Sequence, residues 1–330
     1  MGNDNLNLRS AKSKKNDEFY TQLKDISREL AHYKSHFAGK TVFCNCDDPT
    51  YSNFWRYFHL NFSKLGLQRL IATHYTDKAP SYMLEYLGGD DNNINDGVVT
   101  ALKENGDFRS QECVDILQQS DIVVTNPPFS CFREFLAQLM KYDKKFVIIG
   151  NCNALTYKEV FLLIKDNKIW MGYDFNKTYE FVMPDSYQLK GKGFIDSEGK
   201  KHGYVQAISW FTNLDISKRY DKIKLWRRYN SQDYSVFDEI PSLINVGKVS
   251  DIPYDYDGLM AVPITFMNKY CPDQFEIVEA VNRYTLLDYF GVNEDVRSRH
   301  SHCCNIDGSA TYFRVVIRKK KKLLYPTEDL

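Results

Sequence analysis

The 330-residue chain has no apolar run approaching the roughly 20 residues that a membrane span requires. Its opening, Met1-Gly2-Asn3-Asp4-Asn5, has no charged-then-apolar pattern of a signal peptide, so a soluble cytoplasmic chain with no membrane partner is expected. Charge of one sign is lacking too: 43 basic residues stand against 43 acidic ones. That balance excludes a protein held to a polyanion by bulk charge and turns attention to local runs. Two such runs exist, Arg9/Lys12/Lys14/Lys15 and Arg318–Lys322. Each is compatible with phosphate neutralisation or with a solvated tail. The eight cysteines form no second ligand pair to complement His300-Ser301-His302-Cys303-Cys304, so no metal site is expected and buried free thiols are. A glycine-rich loop after the first apolar strand, the usual phosphate cradle of nucleotide-binding folds, is also missing.

Residues 1–15 read as a basic disordered tail. From Glu18 to Phe37, apolar residues recur at helical spacing and predict a helix. Thr41–Asn45 predicts a buried strand, Ser52–Leu65 a helix closed by Gly66, and Leu67–His74 a second strand. A small strand is read at Tyr82–Tyr86 and a helix at Ser110–Leu117, capped by Ser110. Asp121–Thr125 is β-branched and apolar, hence a buried strand. A helix at Ser130–Tyr142, a strand at Lys145–Gly150 and a helix at Tyr157–Lys165 follow. Strand and helix alternate at short intervals, which means βαβ units, an α/β fold and a mostly parallel sheet. In such sheets ligands bind beyond the carboxyl ends of the strands. Residues 172–203 read as irregular, with a strand returning at Tyr204–Phe211. Residues 16–225 are read as the catalytic domain and 226–330 as a separate, less regular region.

One loop at that carboxyl edge has a chemistry of its own. Asn126-Pro127-Pro128-Phe129 directly follows a buried strand. Its prolines fix φ and remove backbone donors, leaving a rigid display of acceptors. The Asn126 side-chain oxygen and the Pro127 carbonyl can accept both hydrogens of one amino group. An adenine N6 lone pair is delocalised into its ring and attacks poorly. Acceptors placed out of the base plane favour a pyramidal nitrogen, and both bonds strengthen as charge builds on that nitrogen. Phe129 offers a flat face for a base flipped from the helix. On the cofactor side, Asp47 and Asp48 suit an ammonium or ribose hydroxyls, or act as a helix-start cap. Asp107 suits an adenine amine with Phe108 against the ring, or acts as a turn residue.

Several segments together resemble the EcoRI family of adenine-specific DNA methyltransferases. They are Lys15–Thr21, Phe43–Pro49, Gly106–Ser110, 121–129, Phe132–Glu134, Lys145–Asn151, Thr156–Glu159, Trp210–Leu214 and Val262–Phe266. The resemblance implies an S-adenosylmethionine-dependent methyltransferase with a Rossmann-like catalytic domain and a C-terminal target-recognition module. It implies that Phe19, Tyr20 and Thr21 line the methionine end of S-adenosyl-L-methionine. Cys44, Asn45, Asp47 and Asp48 would stand where the glycine-rich loop stands elsewhere. It implies double-stranded DNA as partner and a restriction–modification setting, with a cognate endonuclease acting on the same site. Arg227, Arg228, Arg297, Arg299, His300 and Arg314 are candidates for phosphate or guanine contacts, or plain surface charges. Protein glutamine N5-methylation, cytosine N4 methylation and a non-catalytic DNA-binding decoy are the competing readings.

Overall fold

The computed structural model describes residues 19–46, 48–76, 81–184, 187–189, 191–281 and 304–320. The 1–15 tail, Asp47, Arg297, Arg299, His300, His302, Cys303 and Lys321–Lys322 lie outside the described residues. The chain divides into two compact units, 1–154 with 171–214, and 155–170 with 215–330. The division thus falls ahead of the 225/226 boundary expected from the sequence, and the 155–170 segment joins the second unit.

In the first unit the strands are β1 (Tyr20–Thr21), β2 (Thr41–Asn45), β3 (Arg69–Thr73), β4 (Tyr82–Tyr86), β5 (Val98–Ala101), β6 (Ile122–Thr125) and β7 (Lys145–Asn151). After β8 (Trp170–Met171) come β9 (Lys177–Met183), β10 (Phe194–Ile195) and β11 (Lys201–Thr212). The helices are α1 (Leu23–Leu30), α2 (Asn53–Leu60), α3 (Phe62–Leu65), α4 (Gln111–Gln119) and α5 (Phe132–Lys141).

The sheet order is β1-β9-β11-β7-β6-β2-β3-β4-β5. Its centre, β7-β6-β2-β3, is parallel, as the βαβ rhythm demands. Every residue of β2 and β6 is buried, which is why both strands read as continuous apolar runs rather than alternating ones. Both flanks are antiparallel, so the sheet is mixed rather than mostly parallel. The chain between β3 and β4 is too short for a crossover, which takes about a dozen residues or more, so β4 must turn back beside β3. A mixed sheet with a parallel centre fits the methyltransferase class of α/β fold.

Other differences are local. The helix expected from Glu18 begins only at Leu23, because Tyr20 and Thr21 pair with Val182 and Phe181 as an edge strand. The 52–65 helix is capped by Ser52, whose hydroxyl accepts from the amides of Phe54 and Trp55, but it breaks at Asn61 into α2 and α3. Gly66, at φ 64°, ends α3 in the left-handed region. Ser110 caps α4 as expected. Within 172–203, read as irregular, Lys177–Met183 forms β9 and pairs with a β11 longer than predicted.

The second unit holds a five-stranded sheet in the order β12-β13-β14-β18-β15. Its strands are β12 (Val236–Phe237), β13 (Ile240–Asn245), β14 (Leu259–Pro263), β15 (Phe275–Val281) and β18 (Arg314–Lys319), with the pair β16 (Asn305–Ile306) and β17 (Ser309–Ala310) apart. Helix α6 (Lys158–Lys165) belongs here, its Lys165 3.3 Å from Glu279 of β15. Phe237, Leu243, Val281 and Val316 form part of the core. The start of the second basic run is therefore sheet and not tail: Val315, Val316 and Ile317 are buried, and Arg318 pairs with Glu276 at 2.8 Å.

Candidate active site

The carboxyl ends of β2 and β6 lie side by side, and the Thr125 hydroxyl donates to the Asn45 carbonyl. Directly beyond Thr125, Asn126 is only 6% exposed. Its two amide atoms are treated differently. Nδ2 donates to the Phe19 carbonyl at 2.7 Å, while Oδ1 is buried with no hydrogen-bond partner. That bond fixes which way the amide faces, because the opposite orientation would set two oxygens against each other. An unmet buried acceptor costs about 1–3 kcal/mol, so its persistence calls for a use.

Pro127 is buried, Pro128 and Phe129 half-buried. The Pro128 carbonyl accepts from the Cys131 amide at 2.9 Å, closing the short turn that leads into α5. The Pro127 carbonyl has no such donor among the described residues. The loop therefore presents Asn126 Oδ1 and Pro127 O as its free acceptors. The Phe129 ring meets the edge of Phe19 at 6.0 Å. Phe19 in turn touches Phe181 and Tyr187, at 5.8 and 5.7 Å. Burial pushes the Tyr187 phenol up, so it stays protonated beside this aromatic cluster.

The segments expected to hold a cofactor carry further unmet polar groups. Asn45 is 1% exposed, and both its amide atoms lack partners. The Thr21 hydroxyl and Gln22 Nε2 are likewise buried and unpartnered. Donors and acceptors left open at Thr21, Gln22 and Asn45, beside the Asn126 loop, suit a zwitterionic ligand with hydroxyls and an ammonium. Where a glycine would normally turn the chain after β2, Cys46 takes φ 85°, a left-handed conformation that costs a side-chain-bearing residue on the order of 1–2 kcal/mol. Cys44 is buried inside the strand and offers backbone rather than side chain. Asp48 is committed to protein: it accepts from the Thr50 amide and the Tyr82 hydroxyl, each at 2.9 Å, and lies 3.3 Å from His74.

Asp107 and Phe108 are held by a glycine. At Gly106, φ 76°, an added Cβ would overlap the His74 carbonyl and crowd the Ser81 hydroxyl, so no other residue lets this loop lie against the end of β3. Asp107 grips Arg109 with both oxygens, at 2.8 and 2.6 Å, and its bonds hold the guanidinium above its ordinary pKa. Arg109 also reaches Glu134 at 3.2 Å, and Gln138 donates to the Phe108 carbonyl at 2.9 Å. The Asp107 loop is thereby tied to α5, the helix that continues the Asn126 loop. Phe108 is buried edge-on against Phe135, with Arg109 over its ring.

Among the DNA candidates, Arg228 is highly exposed and 3.5 Å from Asp255, and Arg227 is 4.0 Å from Asp251. Arg314 donates to Asn245 Oδ1 at 3.2 Å. The described cysteines are free, and no described cluster of His, Cys, Asp and Glu is arranged to hold a metal. No described helix is long and apolar enough to cross a membrane. Gln22 and Gln138, whose Oε1 is also buried and unmet, were not singled out from the sequence. Neither lies in a recognisable motif, and only the position of Gln22 next to the Phe19–Thr21 segment hinted at it.

These features define an α/β enzyme with a buried amide acceptor on a rigid proline loop at the carboxyl edge of its sheet. A family profile described as "Adenine-specific methyltransferase EcoRI" matches residues 7–320. Type II methyltransferase M.EcoRI of Escherichia coli is 44% identical, covering 95% of this chain and 96% of the relative. Type II methyltransferase M.MpnI of Mycoplasma pneumoniae is 38% identical over 95% of this chain and 98% of its own length. M.MgeORF184P of Mycoplasma genitalium is 38% identical over 94% and 98%. The chain belongs to the EcoRI family of adenine-specific DNA methyltransferases.

Proposed function

We propose that this protein transfers a methyl group from S-adenosyl-L-methionine to N6 of an adenine flipped out of duplex DNA. The observation that carries the reading is the divided amide of Asn126, with Nδ2 bonded to Phe19 and Oδ1 buried and open. When bound, the cofactor supplies an electrophilic sulfonium methyl. The chain supplies position and polarity. Asn126 Oδ1 and the Pro127 carbonyl hold the two amine hydrogens out of the base plane, and Pro128 keeps the loop rigid. Phe129, braced by Phe19, gives the base a face to rest on. Each acceptor bonds more strongly as positive charge grows on N6, so the site favours the transition state over bound substrate.

Thr21, Gln22 and Asn45 would hold the amino-acid end of the cofactor, with backbone from Phe19, Tyr20 and Cys44. Asp47, Asp48, Asp107 and Phe108 would line its nucleoside side, Asp107 acting together with Arg109. Arg227, Arg228 and Arg314, with Arg297 and Arg299, would meet DNA from the second unit, which would serve as the target-recognition module. The setting is cytoplasmic modification of host DNA, with a cognate endonuclease cutting the same sequence when it is unmethylated.

The test is to incubate the protein with methyl-labelled cofactor and either duplex DNA or total cell protein. Label recovered as N6-methyladenine in DNA is expected. Label recovered on protein glutamine, or as N4-methylcytosine, overturns the proposal, as does cofactor binding without any transfer.

A further inference from the structure

Resting on the duplex-DNA reading above, the geometry points to residues Lys222, Lys224 and Lys269, with Trp226, as a rail that holds the DNA backbone by its phosphates. A cavity of about 470 Å³ in the second unit is lined by Lys218, Lys222, Lys224 and Lys269, against a single carboxylate, Asp221. In a chain of zero net charge that local surplus is unusual. Lys218 is occupied, donating to Asn268 Oδ1 at 2.6 Å. Among the described residues no ion pair engages Lys222, Lys224 or Lys269, and all three are exposed.

The backbone carrying Lys222 and Lys224 is built, not loose. The Gln274 side chain clamps Ile223 from both sides: the Ile223 amide donates to Oε1 at 2.7 Å, and Nε2 donates to the Ile223 carbonyl at 2.8 Å. Further on, Arg227 bridges to Pro253, its carbonyl accepts from the Tyr254 amide at 2.9 Å, and the Tyr229 amide donates to Asp255 at 2.7 Å. Exposure alternates along 222–229, the pattern of extended chain, whose successive side chains point to opposite faces. Lys222, Lys224, Trp226 and Arg228 are exposed, while Ile223, Leu225, Arg227 and Tyr229 are partly covered. Two residues of extended chain advance roughly 6.6 Å, comparable with the step between neighbouring phosphates along one strand. The 66% exposed Trp226 indole continues the row and can pack on a deoxyribose.

Phosphate contacts carry no base information but set salt dependence, each lost contact lowering the slope of log K against log salt by about 0.9. The experiment measures duplex binding from low to moderate salt for the wild-type chain, the triple variant Lys222→Ala/Lys224→Ala/Lys269→Ala, the matching triple Arg variant, and Lys64→Ala as an exposed lysine of the first unit. The alanine triple should lose up to about 2.7 units of slope and bind about tenfold or more weakly at moderate salt. The arginine triple should restore the slope, and Lys64→Ala and cofactor affinity should stay at wild-type values. An alanine triple with wild-type slope and affinity overturns the rail, as does equal loss in the arginine triple, which would mean disturbed folding rather than lost charge. Preference of the wild-type rail for single-stranded RNA over duplex DNA overturns it as well. Failure of the function reading looks different: the wild-type chain would then methylate no duplex at all.

Discussion

The divided amide of Asn126 makes a prediction that separates its two atoms. Asn126→Ala removes both the open acceptor and the donor that holds Phe19. Loss of one preorganised group at a site of developing charge costs about 10²–10³ in kcat, or roughly 3–4 kcal/mol. Leaving the buried Phe19 carbonyl unmet costs a further ~1–3 kcal/mol of stability. At about 2–4 °C per kcal/mol for a domain of this size, Tm should fall by several degrees. Asn126→Asp is more informative. It keeps an acceptor but sets a carboxylate oxygen 2.7 Å from the Phe19 oxygen, where the donor had been. Burial and that repulsion both favour the protonated acid. Once protonated, the carboxyl again donates to Phe19 and presents an oxygen to substrate. The aspartate variant should therefore be nearly inactive at alkaline pH and recover activity, relative to wild type, as pH falls. Single-turnover methylation of duplex DNA across pH, with thermal melts alongside, reads both effects. Full activity and an unchanged melt in Asn126→Ala would refute the reasoning, and an aspartate variant with the wild-type pH profile would show that the Phe19 anchor is irrelevant.

Further outcomes follow from neighbouring features. Cys46→Gly should leave stability unchanged or raise it by up to ~1 kcal/mol, while Cys46→Val should lower it, because φ 85° suits glycine; denaturant midpoints decide the sign. Gly106→Ala should destabilise by about 1–3 kcal/mol through overlap with the His74 carbonyl, and should weaken cofactor affinity more than a mutation of equal cost elsewhere; calorimetric titration against Gly172→Ala makes the comparison. Burial raises the Asp174 carboxyl, but bonds from Arg28 and Tyr179 outweigh it and the net shift is downward from 3.8. Its contribution is therefore present above pH 3.8 and lost as pH falls through the lower folded value, so Asp174→Asn should cost most near neutrality and converge with wild type in acid. Glu29 runs the other way: burial lifts it from 4.5 despite the amides of Asp174 and Tyr173 and the Tyr33 hydroxyl. Its contribution is full below 4.5 and declines as pH rises through the folded value.

The parallel centre of the sheet was legible because Thr41–Asn45, Ile122–Thr125 and Lys145–Asn151 are strands covered on both faces, and such strands need apolar residues throughout. The Asn126 loop was legible because two prolines after a strand have few uses. The flanks were not. Lys177–Met183 sits between polar, turn-rich stretches, and its pairing with both β1 and β11 is a long-range choice that local pattern does not encode. Phe19–Thr21 matched helical spacing, yet Tyr20 and Thr21 pair with β9 and the Phe19 carbonyl accepts from Asn126 instead. The Cys46 turn was seen as a missing glycine, while the strained cysteine that replaces it becomes visible only through its φ. Arg318 looked like part of a basic tail; its pairing with Glu276 depends on a strand whose partner lies far away in sequence.

The chain crosses between its two units after Ala154, after Trp170 and again after Leu214. Helix α6 is the reason, since it lies in the first half of the sequence yet packs with β15 and brings Phe161 to 6.3 Å from Phe313. A fragment starting at Asp215 would lack that helix and expose the apolar surface it covers. Exchange of the second unit between relatives by a single splice would fail for the same cause. A working exchange would need residues 155–170 and 215–330 moved together.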